Sequence, residues 1–254
     1  MRFSLALILA FSLFGSIACA DSAKNSDPYK VGIKKPKTGG FVGGEIGFGG
    51  AYTWIDAYIY NAQGQYQGNY WGSSDHTAIP LNVFGGYQWY FYDRPWFHFG
   101  VRVRGHIGYT NYNTEIASYR WAYGNNVTLS ISSHAIQYGA EAQFLWDFLN
   151  MGEHTLGWHI SPVGLEGSTF FGSVTATGGG NNFGTISNDL KTATKFSYIF
   201  STGFHYYYNA RHIVFATYKS RYYNNSYNAV SGTNTIYYYT YANNLLMLGY
   251  AYKF

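Results

Sequence analysis

Between Phe97 and Tyr109 the chain reads FHFGVRVRGHIGY, and the stretch divides by parity. Phe97, Phe99, Val101, Val103, Ile107 and Tyr109 fall on one side, with Gly105 the only gap. His98, Arg102, Arg104 and His106 fall on the other, with Gly100 and Gly108 between them. Successive side chains of a strand point to opposite faces. The segment therefore predicts a strand with one apolar face and one cationic face.

The same alternation recurs along the chain and predicts eight strands. The first spans 41–55, with Val42, Ile46, Phe48, Tyr52 and Trp54 opposite Gly43, Glu45, Gly47, Gly49 and Ala51. The second is 77–91, the third 96–110, and the fourth 133–148, where Ile136, Tyr138, Phe144, Trp146 and Phe148 oppose Gln137, Glu141, Gln143 and Asp147. The fifth, 154–167, is less regular, and Pro162 predicts a bulge or lost pairing because proline cannot donate to a ladder. The sixth (194–208), seventh (212–222) and eighth (237–254) alternate again, the last ending with Leu246, Leu248, Tyr250, Tyr252 and Phe254 on its apolar side.

The connections alternate too. Those at 92–95, 149–153 and 209–211 are short and rich in turn formers. Those at 56–76, 111–132, 168–193 and 223–236 are long, which is unusual in a compact soluble domain. Short turns at one end and long loops at the other are the habit of barrels that span a membrane. Lipid cannot satisfy backbone N–H and C=O groups, so a sheet placed in it must close on itself. The reading is an all-β, eight-stranded antiparallel transmembrane barrel over residues 40–254, with both termini in the periplasm and four long extracellular loops. Grease then faces lipid and the ionic side chains face the interior. Eight strands leave a lumen that side chains fill, and buried charges need partners, so Glu45, Arg102, Arg104 and Glu141 are expected to form an interior ion-pair network.

Aromatic clusters flank the short turns. Trp89, Phe91, Trp96, Phe97, Trp146, Phe148, Tyr206 and Tyr208 are expected to form a periplasmic girdle at headgroup level. Composition agrees with a membrane setting. Only 11% of the 254 residues are charged, with 31 Gly and 28 Tyr, against roughly 25% charged residues in typical globular chains. The net charge of +4 has no basic stripe, which argues against nucleic acid.

Residues 1–20 read as an export signal: Arg2, an apolar run from Phe3 to Ala18, and a small-x-small site at Ala18-Cys19-Ala20. Lipoprotein processing at Cys19 is the rival reading. Residues 21–39, with Lys24, Lys30, Lys34, Lys35 and Lys37, are expected to form a flexible periplasmic segment.

The end of the chain, Tyr250-Ala251-Tyr252-Lys253-Phe254, resembles the C-terminal signal of outer-membrane barrels, a terminal Phe with aromatics two and four residues before it. That resemblance implies recognition of Tyr250, Tyr252 and Phe254 by the barrel-assembly machinery. Strand count and loop order resemble the small OmpA/OmpX-type barrels. The Tyr/Asn/Gly-rich loops, with GGFVGGEIGFGGAYTW after a lysine-containing leader, resemble the Helicobacter outer membrane protein family. That family includes adhesins and porins, so the resemblance does not choose a function.

The glycines of GGEIGFGG alternate along a strand instead of linking strand to helix, which argues against a dinucleotide loop. His98, His106, His159 and His205 take inward positions and are expected to serve as interior hydrogen-bonding groups, since zinc needs three or four converging ligands. Asp56, Asp75, His76, Ser132, Ser133 and His134 lie near the external rim, but only as loose positions for a nucleophile, base and orienting acid. No catalytic, cofactor or metal site is expected. Loops such as AYIYNAQGQYQGNYWGSS mix Tyr and Trp with Asn, Gly and Ser, the composition of adaptable binding loops. The expected role is a non-enzymatic structural or adhesive surface protein of the bacterial outer membrane, in contact with lipid and lipopolysaccharide and with a host or cell-surface ligand. The alternatives are a narrow channel favouring anions through Arg102, Arg104, Lys195, Lys219 and Arg221, and a lipid-modifying enzyme.

Overall fold

A computed structural model of the chain describes residues 37–60, 66–94, 97–119, 126–151, 153–178, 186–223, 228–229 and 235–254. The proposed signal, Cys19 and most of the lysine-rich leader lie outside the described residues.

Among the described residues, ten strand segments follow in order: β1 (Gly39–Tyr60), β2 (Tyr66–Arg94), β3 (Phe97–Asn111), β4 (Thr114–Tyr119), β5 (Asn126–Met151), β6 (His154–Gly178), β7 (Ile186–Tyr208), β8 (His212–Tyr223), β9 (Asn228–Ala229) and β10 (Thr235–Lys253). Each of the longer strands pairs antiparallel with its sequence neighbours, β4 adds to β5, and β9 adds to β10. The first strand also pairs with the last, Phe41 opposite Lys253 and Tyr58 opposite Thr235. The sheet is therefore a closed ring of eight strands. Closure leaves no edge among them.

Parity behaves as strand geometry demands. Large apolar side chains stand exposed on the outside of every ring strand, among them Ile46, Leu81, Val103, Phe144, Leu165, Phe196, Val214 and Leu248. Val103 is 44% exposed and Phe196 67%, whereas Arg104 between Val103 and Gly105 is 2% exposed. A soluble protein does not surround itself with such a band; lipid hydrocarbon is the solvent that stabilises it. Trp89, Phe91, Trp146, Phe148 and Tyr208 stand exposed near the short turns, with Tyr206 half-buried on the same face. Trp96 lies outside the described residues.

The turn from β7 to β8 closes with Arg211 N–H donating to Tyr208 C=O at 3.2 Å. Its central residues Asn209 and Ala210 both have φ of 54°, the left-handed conformation that matches the twist of a hairpin.

Three expectations are corrected. Three of the segments expected to be long external loops, 56–76, 111–132 and 168–193, are largely paired strand among the described residues. β1 and β2 continue together to Tyr60 and Tyr66, β4 and β5 pair through 114–131, and β6 pairs with β7 to Ala176 opposite Ile186. Hydrophobic alternation fades there because neither face meets lipid, but backbone pairing does not need it. The strand expected over 154–167 likewise runs on, as β6, to Gly178. Pro162 does interrupt it: the register with β7 jumps between Ser161 and Gly164, and the register with β5 jumps between Ala142 and Phe144. Finally, the leader's end is not loose. Tyr90 N–H donates to Thr38 Oγ1 at 2.9 Å and Gln88 Nε2 to the Lys37 carbonyl, which ties residues 37 and 38 to the inside of β2.

Candidate functional site

The interior is layered. Nearest the short-turn end, Asp147 on β5 gathers the groups around it. Its Oδ1 lies 2.6 Å from His205 Nε2 and 3.2 Å from Tyr90 OH, and its Oδ2 accepts from Lys37 Nζ at 2.7 Å. Lys37 Nζ is also 2.9 Å from His98 Nδ1. His159 stacks on His205, with ring centroids 5.7 Å apart, and its Nε2 is 3.0 Å from Thr217 Oγ1.

Arg102 occupies the next level, and here the expectation of an ion pair is corrected. Its Nη2 donates to Gln88 Oε1 at 3.0 Å and to Tyr207 OH at 2.9 Å, and its Nη1 to Gln143 Oε1 at 3.3 Å. Its guanidinium rests 5.2 Å from the Phe41 ring centroid. Neutral acceptors and a ring face hold this cation. The cause is register: Arg102 stands opposite Gln88 on β2 and Gln143 on β5.

Two residues on, Arg104 stands opposite Glu141 on β5. Its Nε donates to Glu141 Oε1, and its Nη1 to Glu45 Oε2 at 2.9 Å. Ser201 Oγ donates to Glu141 Oε2 at 2.8 Å, and Asn82 Nδ2 to Glu45 Oε1 at 2.9 Å. Lys219 Nζ is 3.6 Å from Glu45 Oε1. The guanidinium carbon of Arg104 lies 5.0 Å from the Phe84 ring and 5.8 Å from Phe215, within cation–π reach of both. Two cations and two carboxylates thus share this layer.

A third ionic layer does not follow from strand parity alone. Glu166 Oε1 lies 2.8 Å from Arg221 Nε, and its Oε2 is 2.9 Å from His106 Nε2. Parity counted from His159 and Ser161 turns Glu166 outward. The interruption at Pro162 shifts the phase by one residue, so Gly164, Glu166, Ser168 and Phe170 face in. Pro162 is the signal that could have found it, since a bulge reverses the facing of everything beyond it.

Above the ions the barrel turns apolar. Ala51, Ala78, Tyr112, Ala135, Phe170, Ala242, Leu245 and Met247 pack together in one cluster. An interruption in β10 seats this cap: pairing with β1 jumps from Tyr241 to Asn244, so that Ala242 and Leu245 both face inward. A second apolar cluster, Phe41, Phe84, Tyr207, Ile213, Phe215 and Ala251, packs against the guanidinium groups of Arg102 and Arg104. Arg104, Arg221, Lys219, Tyr112, Tyr207 and Phe170 are almost wholly inaccessible to water. Residues lining an aqueous pore would be wetted. The lumen is packed.

At the external rim, the residues considered for catalysis are distributed over three strands, Asp56 on β1, Asp75 and His76 on β2, and Ser132, Ser133 and His134 on β5. Ser132 Oγ is 3.3 Å from His134 Nε2, but it also donates to Asn113, and His134 Nδ1 is engaged by Tyr109 OH. Ser133 is buried on the opposite face of the strand. At the other end, Tyr252 and Phe254 are in edge contact at 5.5 Å, and Phe254 N–H donates to the Gly40 carbonyl at 2.9 Å.

No protein-family model and no curated protein matches the sequence. Among solved structures, the chain is similar to Neisserial surface protein A (14% identity, 85% of this chain and 97% of that one, TM-score 0.35). It is also similar to OprG from Pseudomonas aeruginosa (12%, 87% and 99%, TM-score 0.42) and to Ail, the attachment invasion locus protein of Yersinia pestis (14%, 84% and 99%, TM-score 0.27). No role for this chain follows from likenesses of that size. The closed ring and its lipid-facing belt are what identify the molecule: an eight-stranded β-barrel of a bacterial outer membrane.

Proposed function

We propose that this chain is a non-enzymatic surface protein whose extracellular hairpins make adhesive or structural contacts outside the cell. One observation carries the reading. The paired strands run far beyond the apolar belt: on β2, strand continues from exposed Ile79 up to Tyr66, about 40 Å of chain at the rise of a strand. The projecting part carries exposed Tyr66 and Trp71, and Tyr237 of β10 stands in the same row as Trp71 on the far side of Asp56 of β1; these are the rigid amphipathic groups that supply contact area at low entropic cost.

The packed lumen speaks against the channel. The inward cations Arg104, Lys219 and Arg221 are opposed by Glu45, Glu141 and Glu166 and do not line an open anion path. In this reading the outer wall is in contact with lipid and lipopolysaccharide, and Tyr250, Tyr252 and Phe254 are read by the assembly machinery. A place among the OmpA/OmpX-type barrels is supported by strand count and loop order, and one among the Helicobacter outer membrane proteins by the Tyr/Asn/Gly-rich loops and the first strand.

The test compares bacteria displaying the native chain with bacteria displaying Trp71→Ala/Tyr237→Ala at matched surface levels. Adhesion to epithelial cells or matrix-coated wells should fall severalfold in the variant. Variant adhesion equal to native, or native adhesion equal to that of a strain without the protein, would count against the reading. Steady single-channel steps in planar bilayers would overturn the closed lumen.

A further inference from the structure

On the outer wall, six polar side chains from three neighbouring segments form two parallel rows. Asn113, Ser132 and Ser173 make the lower row: Ser132 stands opposite Ser173, and its Oγ donates to Asn113 Oδ1 at 3.2 Å. Glu115, Ser130 and Thr175 make the upper row, Ser130 standing opposite both of its neighbours. Neighbours within a row are separated by roughly 4.8 Å and the rows by roughly 6.8 Å, from strand spacing and rise. Together with Thr114 and Ile131, these side chains line an open, shallow depression of about 410 Å3.

The groove has a particular chemistry. Among the described residues, its lining holds one carboxylate, one amide and several hydroxyls, and no lysine or arginine. Hydroxyls and the amide both donate and accept, and the carboxylate accepts through two oxygens. A phosphate would meet Glu115 with no cation of the lining to offset it. A ring bearing several hydroxyls would find a partner for each. Directly below, on the same face, Tyr109, His134 and Phe171 lie side by side, with centroids 5.8 Å and 5.6 Å apart. They offer an aromatic surface to the C–H face of such a ring. They also mark the top of the apolar belt, above Ile136 and Tyr138, so the groove opens at the level of outer-leaflet headgroups.

The geometry points to a saccharide site on the outer wall of β4, β5 and β6, selective for neutral or amino sugars. Such a sugar can come from two sources, the oligosaccharide of the cell's own outer-leaflet glycolipid or a glycan of another cell. The site is separate from the hairpin tips, and it rests on the part of the reading above that sets the outer wall against lipopolysaccharide.

The test uses the full chain folded in detergent micelles. It is titrated by calorimetry and saturation-transfer NMR with delipidated oligosaccharide released from the bacterium's own lipopolysaccharide, and separately with lactosamine-type host oligosaccharide. Glu115→Ala should weaken binding tenfold or more, and Ser173→Leu, which fills the groove, should abolish it. Trp71→Ala should leave it unchanged, and heat-modifiable gel migration verifies that each variant is folded. Binding of the bacterial sugar alone assigns the site to the cell's own glycolipid, and binding of the host sugar alone assigns it to an external glycan. Binding of neither, or equal binding by the groove variants, overturns the proposal.

Discussion

The layer around Arg104 lends itself to a quantitative test. Arg104 and Lys219 face Glu45 and Glu141, so the layer is neutral. Glu141→Gln keeps the shape and removes one negative charge. Arg104 then retains only Glu45, which Lys219 also approaches, and one positive charge is left without a counter-charge in a site closed to water. Breaking a buried pair in this way costs about 3–5 kcal/mol. The presence of Glu45 and of two phenyl rings places this case near the lower end. Arg104→Met should cost a similar amount, since it leaves two carboxylates facing one lysine. The double variant Arg104→Met/Glu141→Gln restores neutrality, with Glu45 and Lys219 left as a pair. Its destabilisation should therefore fall short of the sum of the singles by about 1–3 kcal/mol. Urea unfolding of the barrel in lipid vesicles, followed by tryptophan fluorescence and by gel mobility, measures all three. Singles costing under about 1 kcal/mol, or costs that simply add, would refute the claim that charge neutrality holds this layer together.

Other expectations are simpler. Ala210 sits in a left-handed conformation, which costs an L-residue roughly 1–2 kcal/mol. Ala210→Gly relieves that and loses about 0.4–1 kcal/mol through the freer unfolded chain, so a net stabilisation of up to about 1.6 kcal/mol should appear as a higher urea midpoint. Val103→Arg places a charge on the lipid face and should cost about 2–4 kcal/mol near the midplane; a cost near zero would mean that Val103 does not meet lipid. Removing Phe254 should lower the amount of protein reaching the outer membrane, as read by surface labelling, without changing unfolding of the fraction that does assemble.

The facing of most side chains is legible in the sequence. A strand repeats every two residues whatever surrounds it, so writing Val103 and Arg104 side by side decides that they take opposite walls, and lipid decides which wall takes which. Ring closure follows from the same fact, because an open sheet cannot live in hydrocarbon. Partnership is not legible. Whether Arg102 meets a carboxylate or two glutamines depends on register between strands far apart in sequence, and a shift of two residues would exchange Gln143 for Glu141 without altering any strand's own pattern. Glu166 shows the same limit within one strand. Its inward aim depends on how β6 passes Pro162, which composition signals but does not resolve. The tall external hairpins, too, are a tertiary outcome: alternation reports lipid on one side, and once both sides are wet it falls silent while the backbone ladder continues. The sequence alone determined which residues face lipid, because that is a property of one strand and its solvent. The structure decided which enclosed charges neutralise one another, because that is a property of how the strands are aligned around the ring.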